Sequence, residues 1–483
     1  MIIANIMGTS TTNVGMQKKG LEPFPLAKNS GISYNARAIC LTQGDIMHRI
    51  LFLLLGLPLL LTACDSGNKS APAKPAPQLL TEALQPIVME LPSEALPVWR
   101  DALPQKGTLV LLSIHPFLQP IEVERADEVK GLVAAGKRED FWQRGSFYRA
   151  NPALVPTETV SASLLGGLFK EIVWIFPASA GADQLSLDTF RKQLLEAKFL
   201  TDEEAGKLTL ANGTFSGIVR GVPFRAAHPT ALPKIDGHFA LHIDLSYFRG
   251  LYQGEVKTPI YDVLHSTCLA IKAANWRPRV VTLSYSTIEG TISHDVRFLL
   301  SNLAELLRDP KLLEQMPASW AKRGEALYSV NFFLDQKVRE MYQQNATDHP
   351  QDAAAQYDYY KSLFEQKKID EALGQLDKAA ALDPGYGAVY LELAQIAETD
   401  RNLPIAVDLL RKGGSFFADN PFIDFYRAQF LLQLGRIDQA RPLIERLEKL
   451  PWSKRYHPQM AEGVKQMADY ARNPQPPTTP KKG

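Results

Sequence analysis

Cysteine is scarce in this 483-residue chain: Cys40, Cys64 and Cys268 are too few for a disulfide framework. A dominant charge sign is missing too. Lys and Arg total 53 against 52 Asp and Glu, and a formal net charge of +1 gives no electrostatic footprint for nucleic acid or another polyanion. No apolar run approaches the ~20 residues a membrane-spanning helix needs. Several catalytic signatures are also lacking: there is no Gly-x-Ser-x-Gly elbow, no Walker loop, no dinucleotide fingerprint, and no His-x-His or His-Glu-x-x-His spacing. What remains is an ordinary globular composition, 45% hydrophobic and 22% charged.

Against these absences, Met47–Cys64 stands out, reading MHRILFLLLGLPLLLTAC. A basic head, His48-Arg49, precedes an apolar stretch from Ile50 to Leu61 that fits a signal h-region, and Leu61-Thr62-Ala63-Cys64 closes it. The segment resembles the signal peptide and lipobox of a bacterial lipoprotein. The resemblance implies that residues 47–63 are removed, that Cys64 is lipidated, and that the chain is held at a membrane by that lipid. Residues 1–46 show no sustained apolar period and are read as disordered sequence ahead of a true start at Met47. Cys268 is then the one cysteine of the mature chain; its apolar context, Thr267-Cys268-Leu269-Ala270-Ile271, marks an inert core residue. Residues 64–77 are small, polar and proline-rich and form a flexible tether. Asp65 directly after the lipidated Cys resembles an inner-membrane retention signal, which implies the periplasmic face of the inner membrane.

Residues 78–345 read as an α/β domain with a largely parallel sheet, closed by helices at its carboxyl end. Four buried-strand runs, Thr108–Ser113, Glu171–Phe176, Phe239–Asp244 and Val280–Tyr285, alternate with helical patterns. In such sheets ligands sit beyond the carboxyl ends of the strands, which directs attention to Ser113-Ile114-His115-Pro116-Phe117 and Asp244-Leu245-Ser246-Tyr247-Phe248. These segments resemble an arginase/deacetylase-like family, a three-layer α/β fold. Its members carry Asp-x-His-x-Asp and Asp-x-Asp-Tyr-Phe at the corresponding places, holding divalent metals that activate water. Carried onto this chain, His115 and Asp244 keep a ligand type, whereas Ser113, Phe117 and Ser246 do not. Three missing carboxylates argue against an inherited binuclear site. A rebuilt single-metal site, such as a zinc on His115, His242 and Asp244, is the alternative; the simpler reading makes these residues hydrogen-bonded strand ends. Arg144 to Arg149 either line an anion pocket or cap a helix and cover the sheet.

From 352 to 471 the chain is helical and repetitive. Ile369, Leu403 and Ile437 lie 34 residues apart, as do Ala372, Ala406 and Ala440, then Leu376, Leu410 and Ile444, and one helix earlier Leu363, Ala397 and Leu431. Lys368-Ile369-Asp370-Glu371-Ala372-Leu373 and Arg436-Ile437-Asp438-Gln439-Ala440 resemble the tetratricopeptide repeat, which implies an all-α array binding a protein partner, with a structural cap as the other reading. Gly413-Gly414 predicts a distorted helix in the second repeat. Residues 472–483 are proline-rich and read as disordered. Together these features predict a non-enzymatic envelope scaffold. A metal-dependent hydrolase of a C–N bond, centred on His115, His242 and Asp244, is the second reading, and a small-molecule sensor the third.

Overall fold

The computed structural model describes residues 76–177, 185–287 and 292–473. The signal-like segment, Cys64, residues 1–46, most of the tether and the tail beyond Asn473 lie outside the described residues.

Eight strands form one sheet in the order β1-β8-β7-β2-β3-β6-β5-β4, with β1 at Ile87–Met89, β2 at Gly107–Leu112, β3 at Phe169–Ile175, β4 at Thr209–Ala211, β5 at Thr214–Val219, β6 at Val222–Ala227, β7 at Phe239–Asp244 and β8 at Val280–Ser284. The four expected runs are the adjacent strands β8, β7, β2 and β3, and the ladders from β1 through to β6 are parallel. The sheet is nevertheless mixed rather than purely parallel, because β5 and β4 extend it as an antiparallel meander. Its two turns, Asn212-Gly213 and Arg220-Gly221, all have positive φ between +47° and +79°. That is the signature of two-residue turns whose twist matches antiparallel strands.

Every residue of β2 is buried, and its period of two sends alternate side chains to different cores. Leu109 and Leu111 pack with residues of α1 (Ala95–Ala102), α2 (Val123–Ala135), α3 (Arg138–Arg144), α4 (Thr159–Leu165), α5 (Leu187–Glu196) and α6 (Asp202–Gly206). Val110 and Leu112 join the opposite core with α7 (Ser246–Leu251), α8 (Ile260–Ala273) and α9 (Phe298–Arg308). The second core continues into the carboxyl-terminal helices, beside a small separate cluster of Ala326, Val338 and Tyr342.

Those helices pair as hairpins: α10 (Ala318–Val330) with α11 (Asp335–Asp348), α12 (Ala353–Glu365) with α13 (Ile369–Leu382), α14 (Val389–Thr399) with α15 (Leu403–Phe416), and α16 (Pro421–Gln433) with α17 (Ile437–Glu448); α18 (Met460–Arg472) follows. The expected columns are the packing seam. Ala372, Ala406 and Ala440 are 0% exposed, letting helices approach closely, while Leu376, Leu410 and Ile444 are buried between units. Fully burying each of these larger side chains contributes roughly 1.5–3 kcal/mol. The array begins one hairpin earlier than expected, since α11, α13, α15 and α17 start at Asp335, Ile369, Leu403 and Ile437 in one 34-residue register. Phe333, Lys367, Arg401 and Gly435, at φ +56°, +62°, +59° and +69°, hold the same left-handed turn in all four units. In the last three units the next residue's amide closes the helix, for example Lys368 N to Leu363 O at 3.0 Å. The helix containing Gly413 is continuous, contrary to expectation. A Cβ at Gly413 would come 2.6 Å from the Leu391 side chain, so the glycine admits a neighbour rather than bending the helix.

Candidate functional site

The sequence directs attention to the carboxyl ends of β2, β7 and β8. There His242 and Asp244, two residues apart on β7, face the same way and are both 0% exposed. Ser284 on the adjacent β8 links them: its hydroxyl lies 3.0 Å from His242 Nε2 and donates to Asp244 Oδ2 at 2.6 Å. Ser286 also donates to Asp244, and the Ser246 amide donates to Oδ1 at 3.0 Å. On the other side of the imidazole, Nδ1 lies 2.8 Å from Thr282 Oγ1, which also accepts from Trp99 Nε1 at 3.1 Å. Trp99 and Phe117 pack edge-on against the ring at 5.4 and 6.4 Å between centroids. Burial alone pushes the His242 pKa down to about 3, so the ring is neutral at pH 7. Asp244 is raised by burial, which outweighs its hydrogen bonds from Ser246, Ser284 and Ser286.

The three positions that lack the carboxylates of the resembling motifs have other uses. Ser113 donates to the His115 carbonyl, Ser246 Oγ accepts from the Ile114 amide at 3.2 Å, and Phe117 contributes its ring to the His242 enclosure. His115 itself is exposed at the rim, near enough to Asp244 and Arg249 to feel both charges, with its ring 5.7 Å from Phe199. Among the described residues no group of three or more His, Cys, Asp or Glu side chains is placed to hold a metal ion, and the trio His115, His242 and Asp244 is no exception. Both nitrogens of His242 are committed to hydroxyls, which leaves no lone pair aimed at a shared ion. The arrangement is a satisfied polar core, with serines and a threonine cross-linking neighbouring strands.

The arginines at 144 and 149 both border a cleft of about 450 Å³ shared with Asp419 and Arg446. Arg149 is buried over the Trp142 ring at 4.5 Å and donates to the Trp142 carbonyl at 3.0 Å, while Arg144 pairs with Glu128. Cys268 is 0% exposed, and burial raises its pKa to about 12.

A second surface is the one the structural-cap alternative implies, though its residues were not singled out from the sequence. The first helices of the hairpins, with the loops before them, rest against the α/β domain at several places. Arg297, 3% exposed, donates to Glu90 at 2.6 Å and to Asp383 Oδ1 at 2.7 Å, and its guanidinium lies 3.6 Å from the centre of the Tyr285 ring. Burial opposes the charge, but Asp383 and Glu90 outweigh it and hold the pKa well above the usual value. On α12, Tyr357 donates to Asp295 at 3.1 Å and Lys361 pairs with the same carboxylate at 2.9 Å. Burial would raise the Asp295 pKa, yet Lys361 and the hydrogen bonds bring it below the ordinary range. Further along, Asp419 accepts from Trp142 at 3.2 Å and Gln143 at 2.9 Å, Phe422 meets Tyr148 at 6.1 Å, and His457 Nε2 lies 2.8 Å from the Arg149 carbonyl. Glu90 and Tyr285 immediately follow β1 and β8, so the array sits on the carboxyl-end rim of the sheet.

No known protein family matches this chain, and no curated protein does. Solved structures that match include Pseudomonas aeruginosa pilF, at 17% identity over 35% of this chain and 81% of that one, with a TM-score of 0.22. The APC/C hetero-tetramer Cut9–Hcn1 is similar at 16% identity over 45% of this chain and 41% of the other, with a TM-score of 0.23. Likeness at that level adds nothing to the geometry, and the repeat assignment rests on the 34-residue register itself.

Proposed function

We propose that this chain is a bacterial envelope lipoprotein, anchored through a lipid on Cys64 at the periplasmic face of the inner membrane. It acts there as a non-enzymatic scaffold whose tetratricopeptide-like array engages a protein partner. The observation that carries the reading is the array: four hairpins in one register, with the buried columns and repeated left-handed turns of a stacked repeat. The α/β domain, read as a degenerate relative of the arginase-like fold, supports the array rather than working on a substrate. Its hydroxyl-bonded His242 and Asp244 favour that over hydrolysis. Among the described residues no helix is long and apolar enough to cross a membrane, so attachment in this reading falls to the lipid.

Two experiments test the proposal. Cys64→Ala is expected to move the protein from the membrane fraction to the soluble fraction; retention at the membrane refutes the anchor. Affinity recovery from detergent-solubilised membranes is expected to yield a partner with the full chain and to lose it when the chain ends before Ala318. Equal recovery by both refutes the array as the binding element.

A further inference from the structure

The first-helix face is covered over much of its length by the α/β domain. The ion pairs at Asp295, Arg297 and Asp383 close it at the first two expected repeats, and contacts of Asp419 and His457 close it at the far end. Between α14 and α16 a stretch remains open. Leu391, Ala394, Phe422, Ile423 and Phe430 line a cleft there of about 60 Å³, and Tyr148 from the α/β domain contributes to the same wall. The cleft is continuous with the seam, because Phe422 also packs on Tyr148 and, at 4.9 Å, on His457. An isolated array would lack part of it.

Its size and charge define the occupant. An apolar cavity of ~150 Å³ holds benzene, so this smaller space suits one branched aliphatic side chain rather than an aromatic one. Glu398 is the one charged residue of the lining. It is exposed, forms no ion pair among the described residues, and has a pKa raised by partial burial. An uncompensated carboxylate beside an apolar floor attracts a cation whose neighbour fills that floor. Gln395 adds a side-chain amide on the wall, suited to a peptide backbone, whereas the Asn420 oxygen is taken by the start of α16, accepting from the Phe422 amide at 3.0 Å.

We infer that this composite cleft binds an extended peptide segment of the partner, one that presents a Val, Leu or Ile anchor next to a Lys or Arg. The inference rests on the reading of the array as a protein-binding element and specifies where and what it binds.

Selection from a displayed library of random peptides on the full chain, followed by fluorescence anisotropy with the fluorescein-labelled winners, tests it. Enriched peptides are expected to share an aliphatic–basic pair. Glu398→Lys is expected to weaken them at least tenfold and to favour the same peptides with Glu in place of the basic residue. Gln395→Trp, which fills the cleft from a half-buried position, is expected to abolish binding. Unchanged melting temperatures show that both variants fold. Winners without a basic residue, or affinities unmoved by both variants, overturn this site while leaving the array as binder. A failure to enrich any peptide, with membrane partner recovery equal in wild type and both variants, also sinks the cleft alone. No enrichment together with no partner recovery by the full chain sinks both readings. A concentration-dependent dimer abolished by Glu398→Lys assigns the cleft to a second copy and overturns the peptide.

Discussion

Arg297 offers the sharpest test of the seam. It is 3% exposed and faces Glu90, itself 5% exposed, on one side and Asp383, at the start of the second expected repeat, on the other. Arg297→Leu removes the cation and leaves two carboxylates turned toward an apolar side chain. Breaking a buried pair by deleting one partner costs about 3–5 kcal/mol, because the stranded charge keeps its desolvation penalty. Against a typical total of about 5–15 kcal/mol, that is a large fraction. Arg297→Lys keeps the charge but loses the two-sided fork and the stacking on Tyr285, so an intermediate loss of about 1–2 kcal/mol is expected. The logic extends to rescue: adding Glu90→Gln and Asp383→Asn to Arg297→Leu removes the stranded charges and is expected to recover more than half of the loss. Urea unfolding followed by far-ultraviolet circular dichroism and by tryptophan fluorescence, to which Trp142 at the seam contributes, measures all three variants. The reasoning is refuted if Arg297→Leu costs less than about 1 kcal/mol, or if the triple variant is no more stable than the single one.

Other consequences are narrower. Gly435 has φ +69°, and a Cβ placed there would meet nothing within 4 Å, so Gly435→Ala isolates backbone strain and is expected to lower stability by about 1 kcal/mol in thermal melts. Lys367→Gly and Arg401→Gly, at the same turn, are expected to be neutral or to raise stability by up to about 0.5 kcal/mol, despite the usual entropic cost of glycine. His242 has a folded pKa of about 3, below its ordinary value near 6.5, so the unfolded chain binds more protons between those limits. Its contribution is complete above pH ~6.5 and is lost as pH falls toward 3, at up to ~1.4 kcal/mol per pH unit. The urea midpoint should therefore fall less steeply between pH 6.5 and pH 4 in His242→Gln than in the wild type; parallel slopes count against it. Cys268 should resist iodoacetamide in the folded protein and react once urea exposes it, as mass spectrometry would show; rapid native alkylation would contradict its burial.

The sequence made the central strands legible because β2, β3, β7 and β8 are nearly continuous apolar runs, as strands covered on both faces must be. It hid β4 because all three of its residues are exposed, leaving no apolar pattern; the Asn212-Gly213 turn was the available signal. The first hairpin of the array escaped for a related reason. Where the later units have Ala372, Leu376 and Leu363, it has Val338, Tyr342 and Ser329, all buried but of different size and polarity. The repeated left-handed turn carries glycine only at Gly435, so Phe333, Lys367 and Arg401 conceal it. At the strand ends the loss of carboxylates was readable, but the hydroxyl partners were not, since Thr282 and Ser284 on the neighbouring strand, and Ser286 just beyond it, reach His242 and Asp244. The seam was equally hidden: Arg297 lies 207 residues from Glu90 and 86 from Asp383, and no local pattern joins them.

The seam also bears on how the array could recognise anything. A stack of hairpins in contact only with its neighbours flexes along its length, and ordering a flexible surface on binding costs part of the affinity. Here Arg297, Lys361, Asp419 and His457 tie successive units to one sheet, and the core beneath them is continuous. Swinging one unit away would break the Arg297–Asp383 or the Lys361–Asp295 pair, leaving Arg297 with Glu90 but Asp383 or Asp295 without its cation, so the first-helix face is held in a single shape before any partner arrives. The same contacts that cover much of that face therefore preorganise the part left open, and the rim of the sheet acts as a template for the array.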